Sequence, residues 1–177
     1  ATIIRQVGAL RRMVDEFSSF ARLPKPVFRD EDASDLVRQA LFLQEIAHSA
    51  IDFSFDGAPQ MPIEADRHQF GQAMTNVLKN AVEAVEQRAG TEDIDFRGRI
   101  EVALTGDHQS VTVSVTDNGI GLPADKDRIV EPYMTTREKG TGLGLAIVNK
   151  IVEEHGGEMA FAAAAHGGTR VTMRFAR

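Results

Sequence analysis

Apolar residues recur along the chain with two different periods, which divide it into helices and strands. Spacings of three and four residues predict helices from Thr2 to about Arg22, from Asp32 or Ser34 to near His48, from Asp66 to about Arg88, and from Leu145 to about His155. Alternation predicts strands at Ile51 to Phe55, Ile100 to Leu104, Val111 to Val115, Met159 to Ala165 and Val171 to Phe175, with a short extended piece from Pro62 to Ala65.

Local signals refine three of these elements. We expect Ile46 to lie on the inner face of the second helix, and Asp56-Gly57 to form a turn after the first strand. Gly156 is well placed to end the last helix in the left-handed conformation. His155, in the last turn of that helix, is suited to interact with its dipole.

The first helix carries a seam of apolar residues alternately four and three apart, a spacing typical of coiled coils and helix bundles. The seam comprises Ile3, Val7, Leu10, Val14, Phe17 and Ala21. Either this helix packs on its own domain, or it is part of a dimerisation hairpin. Pro26 ends the helical run and begins a linker. Because the chain starts in mid-helix at Ala1, we expect it to be part of a longer protein.

Composition excludes several classes of protein. The chain has 177 residues, a net charge of −6, 42% hydrophobic residues and no cysteine. These values predict one domain with an appendage and a sizeable core, without disulfide or thiol chemistry. The negative charge argues against a broad nucleic-acid surface. The absence of cysteine suits a reducing cytoplasm, where we expect this domain to lie. No apolar run approaches the ~20 residues of a membrane span, so we expect any membrane anchor to lie outside the chain.

Two glycine clusters contain the candidate chemistry. Asp117-Asn118-Gly119-Ile120-Gly121 ends a strand, and Gly140-Thr141-Gly142-Leu143-Gly144 runs directly into a helix. Glycine allows backbone to approach a ligand closely, and a helix N-terminus attracts phosphate. A long charged loop precedes the second cluster, unlike the dinucleotide fingerprint. Leu145-Ala146 follows it where a phosphate-binding P-loop needs lysine and serine or threonine.

The two clusters resemble the glycine boxes of the gyrase, Hsp90, histidine-kinase and MutL ATPase superfamily. NVLKNAVEA at residues 76–84 is similar to its asparagine box. EPYMTTREK at residues 131–139 resembles the lid of bacterial sensor histidine kinases, most closely the NtrY type. DEFSSFARLPKP at residues 15–26 is similar to the end of the second dimerisation helix in such kinases. The resemblance therefore covers nearly the whole chain.

This resemblance implies a fold and an activity. Residues 1–26 would be the remnant of the second hairpin helix and a linker, and residues 27–177 the catalytic domain. The implied fold is an α/β (α+β) two-layer sandwich, the Bergerat ATP-binding fold, in which three helices cover one face of a mixed sheet after an N-terminal helix. The implied enzyme is a protein-histidine kinase that binds Mg·ATP. It would donate the γ-phosphoryl group to a histidine on the dimerisation domain of the same protein, for transfer to a response regulator receiver domain. The full-length protein would be a homodimer anchored in the inner membrane.

The resemblance assigns Asp117 to adenine recognition and Asn80 to magnesium. An ionised carboxylate accepts hydrogen bonds, so Asp117 can take one from the exocyclic amino group. Gly119 and Gly121 would let the backbone pass beside the base and hinge the following loop. Mg²⁺ prefers oxygen ligands and takes few from protein, which suits one amide oxygen. The alternatives are a strand-end carboxylate capping a turn, and a solvated asparagine.

Asn76 and Asn80, four residues apart, lie on one edge of their helix and are the candidate catalytic residues. Superfamily members that hydrolyse ATP carry glutamate where this chain has Asn76. An amide has no useful basicity, so Asn76 cannot activate water. This difference favours phosphoryl transfer over hydrolysis.

The resemblance also implies contacts with ATP from the asparagine helix, both glycine boxes, the lid and the last strand. These are Lys79, Ile120, Tyr133, Thr135, Thr136, Arg137, Lys139, Gly140, Thr141, Gly142, Leu143, Gly144, Leu145 and Thr169. Arg137 and Lys139 are otherwise solvated loop charges. Glu83 stands where several sensor kinases have lysine, which weakens the case for phosphate contact there. We expect the lid, residues 122–139, to become ordered on nucleotide.

Two other functions stay open at this point. An ATP-dependent clamp of the Hsp90 or MutL sort is disfavoured by Asn76 and by the short lid. A nucleotide-binding module used only for docking is disfavoured by Asn80 and Asp117. None of the five histidines precedes an acidic residue and an Asn-Pro pair, the context of the accepting histidine in such kinases. We therefore do not expect the chain to phosphorylate itself.

Overall fold

The computed structural model describes residues 2–21, 23–91, 95–122 and 144–177. The helices in these ranges are α1 (Thr2–Ala21), α2 (Ala33–Ala47), α3 (Arg67–Ala89) and α4 (Gly144–Glu154). The strands are β1 (Arg29–Asp32), β2 (Asp52–Gly57), β3 (Pro62–Ala65), β4 (Arg99–Gly106), β5 (Ser110–Asp117), β6 (Glu158–Ala163) and β7 (Thr169–Ala176). None of the helices in the described part of the chain has both the length and the hydrophobicity of a membrane span.

The main sheet has five strands in the order β2-β4-β5-β7-β6. β2 and β4 are parallel and the other neighbours are antiparallel, so the sheet is mixed. Alternate residues of each central strand are buried against α2, α3 and α4, which cover one face. The opposite face presents charged and hydroxyl side chains such as Glu101, Thr116 and Arg174. The predicted two-layer fold is confirmed.

Helix α3 lies at the centre of the helical layer. Asp66 caps it, because its carboxylate accepts the backbone N–H of Gln69 at 3.0 Å. The inward stripe is fully buried, and the Phe70 ring packs on Phe175 of β7 with centroids 4.8 Å apart. Burial of a phenylalanine contributes about 1.5–3 kcal/mol, so this pair helps hold α3 on the sheet.

Two local predictions about α2 and β2 are corrected, and one strand was missed. Ile46 is 66% exposed, because the buried stripe of α2 ends on Gln44 and two residues rotate a helix by about 200°. Asp56 and Gly57 continue β2 beside β4, so they form no turn. β1 was not predicted, because its sequence RDED does not alternate; it pairs with β3 in a separate two-stranded sheet.

His155 makes specific hydrogen bonds at the end of α4, where the sequence suggested an interaction with the helix dipole. The residue is 3% exposed, and its Nε2 accepts the backbone N–H of Asp66 at 3.1 Å. The proton therefore lies on Nδ1, which donates to the carbonyl of Ile151 at 2.8 Å. Gly156 follows with φ +73°, and the predicted left-handed cap is confirmed.

The linker between α1 and β1 lies against the N-terminal end of α3. The buried side chain of Gln69 donates to the carbonyl of Pro24 at 2.7 Å. The carboxylate of Asp66 accepts the Val27 N–H at 2.9 Å, and the Phe28 ring meets His155 edge-on at 5.1 Å. The linker is thus bonded to the same turn that begins α3.

Candidate functional site

One edge of α3 bonds to a residue from each glycine cluster. Asn76 donates through Nδ2 to the carbonyl of Gly144, the last residue of the second cluster, at 3.4 Å. Two turns further along, the carbonyl of Ala84 accepts the N–H of Ile120, in the first cluster, at 3.2 Å. Asn80 is half-buried on the turn between them. Residues spaced four apart share one helix edge, so Asn80 lies between the contacts that Gly144 and Ile120 make with α3.

Asp117 ends β5 with its side chain inside the molecule, 6% exposed. Its Oδ1 accepts the N–H of Gly119 at 2.8 Å, and the N–H of Thr169 also bonds to the carboxylate. Burial raises the pKa of Asp117 above the usual value, and the two amide hydrogen bonds oppose that rise. The side chain does cap a turn, as the simpler alternative supposed. A carboxylate has about four acceptor positions, so capping leaves capacity for a ligand.

The structure explains why the first cluster has glycine at two positions. A Cβ at Gly119 would lie 2.6 Å from the carbonyl oxygen of Ala84. Glycine is therefore needed here because the loop packs closely on α3, whereas the sequence suggested that the close approach is to the base. Gly121 has φ +85°, a conformation that glycine adopts without strain. A Cβ there would also lie 2.7 Å from the carbonyl oxygen of Gly167. The loop that follows Asp117 is therefore packed closely between α3 and the β6–β7 turn.

The sequence did not reveal the part that this turn plays. A Cβ at Gly168 would overlap the carbonyl oxygen of Asp117. The side chain of Asn118 accepts the N–H of Arg99 at 2.7 Å and donates to the carbonyl of Arg97 at 2.9 Å. The dipeptide Gly167-Gly168 indicated a turn, but nothing local showed that the turn meets the Asp117 loop.

Comparisons with known proteins place this arrangement in a family. The model of the family described as histidine kinase-, DNA gyrase B- and HSP90-like ATPase matches residues 65–177. The chain belongs to this ATPase family. The nitrogen regulation protein NtrY of Azorhizobium caulinodans is 53% identical over 157 residues, 88% of this chain and 20% of NtrY. The chain thus spans about a fifth of the length of that relative.

Solved structures of histidine kinases have the same fold. Full-length ShkA in complex with AMPPNP matches with a TM-score of 0.80 and 27% identity, over 98% of this chain and 37% of that chain. The histidine kinase ThkA, in complex with the response regulator protein TrrA, matches with a TM-score of 0.79 and 26% identity, over 99% of this chain and 49% of that chain. With the similarity to NtrY, these matches identify the chain as the ATPase domain of a sensor histidine kinase.

The remaining expected ATP contacts fall into two groups. Lys79 is exposed on α3, Ile120 is 51% exposed, Leu145 is half-buried in the first turn of α4, and Thr169 is buried at the start of β7. The others lie outside the described residues: Tyr133, Thr135, Thr136, Arg137, Lys139, Gly140, Thr141, Gly142 and Leu143, with all of the lid after Leu122.

The oxygen-bearing side chains of the ATPase domain fit a magnesium ion that is held mainly by the phosphates of a bound ligand. The described residues contain no group of three or more histidine, cysteine, aspartate or glutamate side chains that would hold a metal by themselves. Asn80 carries an amide oxygen and lies between the contacts that Gly144 and Ile120 make with α3. One or two protein oxygens with phosphate and water completing the shell is the usual way to bind Mg²⁺.

Proposed function

We propose that this domain binds Mg·ATP along the edge of α3 and donates the γ-phosphoryl group to a histidine on a dimerisation domain. One observation carries the proposal: Gly144 of the second cluster and Ile120 of the first bond to α3, one turn on either side of Asn80. That arrangement suits a ligand with a base at one end and phosphates at the other. The complex of the similar kinase ShkA with AMPPNP supports this choice of ligand.

The base would lie at the Asp117 end. The Asp117 carboxylate is held by the N–H groups of Gly119 and Thr169, so its orientation is set before any ligand arrives. A fixed acceptor recognises the exocyclic amino group of adenine, whereas a base with a carbonyl at that position offers no donor. The same carboxylate must be ionised to act only as an acceptor.

The phosphates would lie towards the start of α4, where unpaired N–H groups and the helix dipole favour anions. Asn80 would hold the magnesium ion, which when bound neutralises phosphate charge. Asn76 lies one turn away and bonds to Gly144. Since its amide cannot accept a proton from water, Asn76 serves to position the start of α4. The γ-phosphate is then attacked by an external histidine and not by water. Catalysis then rests on positioning and electrostatic stabilisation.

The rest of the signalling reaction is assigned to other parts of a longer, homodimeric protein. We propose residues 1–26 as the second helix of the dimerisation hairpin and its linker, because Ile3, Val7, Leu10 and Val14 are 58–76% exposed along one seam. A response regulator receiver domain would take the phosphoryl group from the histidine, as suggested by the ThkA complex. We also propose a cytoplasmic location, where ATP is available, with any membrane anchor elsewhere in the longer protein.

Calorimetric titration with Mg·ATP tests the ligand assignment. Asp117→Ala removes a hydrogen bond to a charged group, so we expect a loss of affinity of about 10- to 100-fold. Asn80→Ala should instead weaken the dependence of binding on magnesium.

Asp107→Ala is the matched control for this titration. Asp107 also caps a turn through Oδ1, accepting the N–H groups of Gln109 and Ser110 at 2.8 Å, but at the opposite end of the sheet. This variant should bind ATP normally. Equal affinities of Asp117→Ala and Asp107→Ala would show that Asp117 is a turn cap alone.

A further inference from the structure

Arg88, in the last turn of α3, bonds to two separate loops at once. Its Nη1 donates to the carbonyl of Asn118 at 2.7 Å and to the carbonyl of His166 at 3.1 Å. The first carbonyl follows Asp117 directly, and the second belongs to the β6–β7 turn. Hydrogen bonds from a charged donor are stronger than those between neutral groups. One guanidinium therefore joins α3, the Asp117 loop and this turn.

Both loops act on the carboxylate of Asp117. The first supplies the N–H of Gly119, and the segment after the β6–β7 turn supplies the N–H of Thr169. Gly168, between the turn and Thr169, packs so closely on the Asp117 carbonyl that it has no room for a side chain. A shift of either loop would therefore move the groups that orient the carboxylate.

The guanidinium is itself held in place. Its central carbon lies 4.7 Å from the centroid of the Phe96 ring, within the range of a cation–π interaction. Asn118 is fixed by its side-chain bonds to the backbone of Arg97 and Arg99. Arg88 bonds to carbonyl oxygens, and the amide groups of Gly119 and Thr169 are the hydrogen-bond donors to the Asp117 carboxylate. Arg88 therefore acts on Asp117 by positioning the two loops, not by bonding to its carboxylate.

We propose that Arg88 is a positioning residue for base recognition, which fixes the Asp117 carboxylate by joining its loop and the β6–β7 turn to α3. The inference rests on the proposed function, since it takes an adenine nucleotide as the ligand. Arg88 itself need not touch that ligand. Its removal should weaken binding of every adenine nucleotide by the same factor, because the disturbed contacts lie on the base side and not on the phosphate side.

Amide hydrogen exchange without nucleotide tests the positioning directly. Arg88→Met keeps most of the side-chain volume and removes the donors. We expect faster exchange at Gly119, Ile120 and Thr169 in this variant, with no change at Val113 in the middle of β5. Unchanged exchange at the first three amides would overturn the inference and leave the proposed function standing.

Calorimetry with ATP, ADP and adenosine tests the link to recognition. Residues that touch no ligand alter coupling by up to about 2 kcal/mol, so we expect Arg88→Met to bind all three more weakly by a common factor of roughly two to thirty. Arg88→Lys should restore part of the loss, since lysine keeps a charged donor. A loss confined to ATP would place Arg88 on the phosphates and overturn the inference.

Arg97→Met is the matched control. Arg97 is a neighbouring guanidinium that bonds to Asp52, and its backbone carbonyl, not its side chain, accepts the hydrogen bond from Asn118. This variant removes the same charge from the same surface and should retain full affinity. Equal losses in both variants would mean that surface charge, not position, is responsible, and would overturn the inference. Wild-type protein that binds no adenine compound would overturn the proposed function first, whatever the exchange experiment shows.

Discussion

The two ends of α3 are joined to their surroundings in different ways. At the N-terminal end, side chains bond to backbone: Asp66 to Val27, Gln69 to Pro24, and His155 to Asp66. At the C-terminal end, the Arg88 side chain also bonds to backbone, but in addition backbone packs directly on backbone at Gly119 and Gly168, where no side chain fits. A side-chain hydrogen bond can be removed by a single substitution, whereas the close backbone contacts leave no room for an added side chain.

This difference separates two tasks along one helix. The N-terminal end fixes the linker that leads to α1, and the C-terminal end fixes the loop that carries Asp117. Asn76 and Asn80 lie between them. We therefore expect changes at the N-terminal end to alter stability without altering nucleotide affinity. Changes at the C-terminal end should alter both.

Gly168→Ala should have the largest effect. The new methyl group would overlap the Asp117 carbonyl. Because it meets backbone atoms and not a flexible side chain, little can shift to make room for it. We expect a loss of about 3 kcal/mol or more in the free energy of unfolding, measured by urea denaturation. Gly71→Ala is the control, because a Cβ at this position in α3 meets nothing within 4 Å. It should gain about 0.5–1 kcal/mol. A Gly168→Ala variant as stable as wild type would contradict the close-packed account of this end.

Asp66→Ala should have an intermediate effect confined to the other end. Loss of an N-cap costs about 0.5–2 kcal/mol of unfolding free energy, and the bond to Val27 is lost as well. ATP affinity at a temperature where the variant stays folded should be unchanged. Asp66→Ser, which retains a capping oxygen, should recover most of the stability. A fall in ATP affinity in the Ala variant would show that the two ends are not independent.

The two aspartates should give opposite, smaller dependences on pH. Burial raises the pKa of Asp66, but hydrogen bonds from the N–H groups of Val27, Gln69 and His68 outweigh it and lower that pKa overall. Its stabilisation is present above the unfolded value of 3.8 and is lost as pH falls through the lower folded value. Burial raises the pKa of Asp117, so its contribution favours folding below the unfolded value and is lost as pH rises through the higher folded value.

Urea denaturation of Asp66→Asn and Asp117→Asn from about pH 3 to about pH 7 measures both contributions. The wild-type advantage over Asp66→Asn should grow as pH rises, and the advantage over Asp117→Asn should shrink. Curves of the same sign would mean that burial does not dominate at Asp117.

Sequence reasoning found what local patterns determine. The apolar period of α3, its cap at Asp66 and the alternation of β4 and β5 depend on neighbouring residues, and all were predicted. Asp117 and Asn80 were chosen because they lie in motifs of a known family, since a carboxylate or an amide alone is common on a surface.

What the sequence did not show depends on distant pairs. His155 bonds to Asp66 across 89 residues, and Arg88 bonds to His166 across 78. A histidine near a helix end and an arginine in a last turn both have ordinary local explanations. Similarly, β1 exists because β3 pairs with it, although the charged sequence of β1 has little strand character.

Phosphoryl transfer is the most direct test of the central claim. The chain would be mixed with Mg·ATP labelled on the γ-phosphate and with a separately produced dimerisation domain that carries the acceptor histidine. We expect acid-labile label on the histidine domain, no label on this chain and little free phosphate. Rapid release of phosphate without labelled histidine, or label on this chain itself, would contradict the assignment of the domain as a phosphoryl donor to an external histidine.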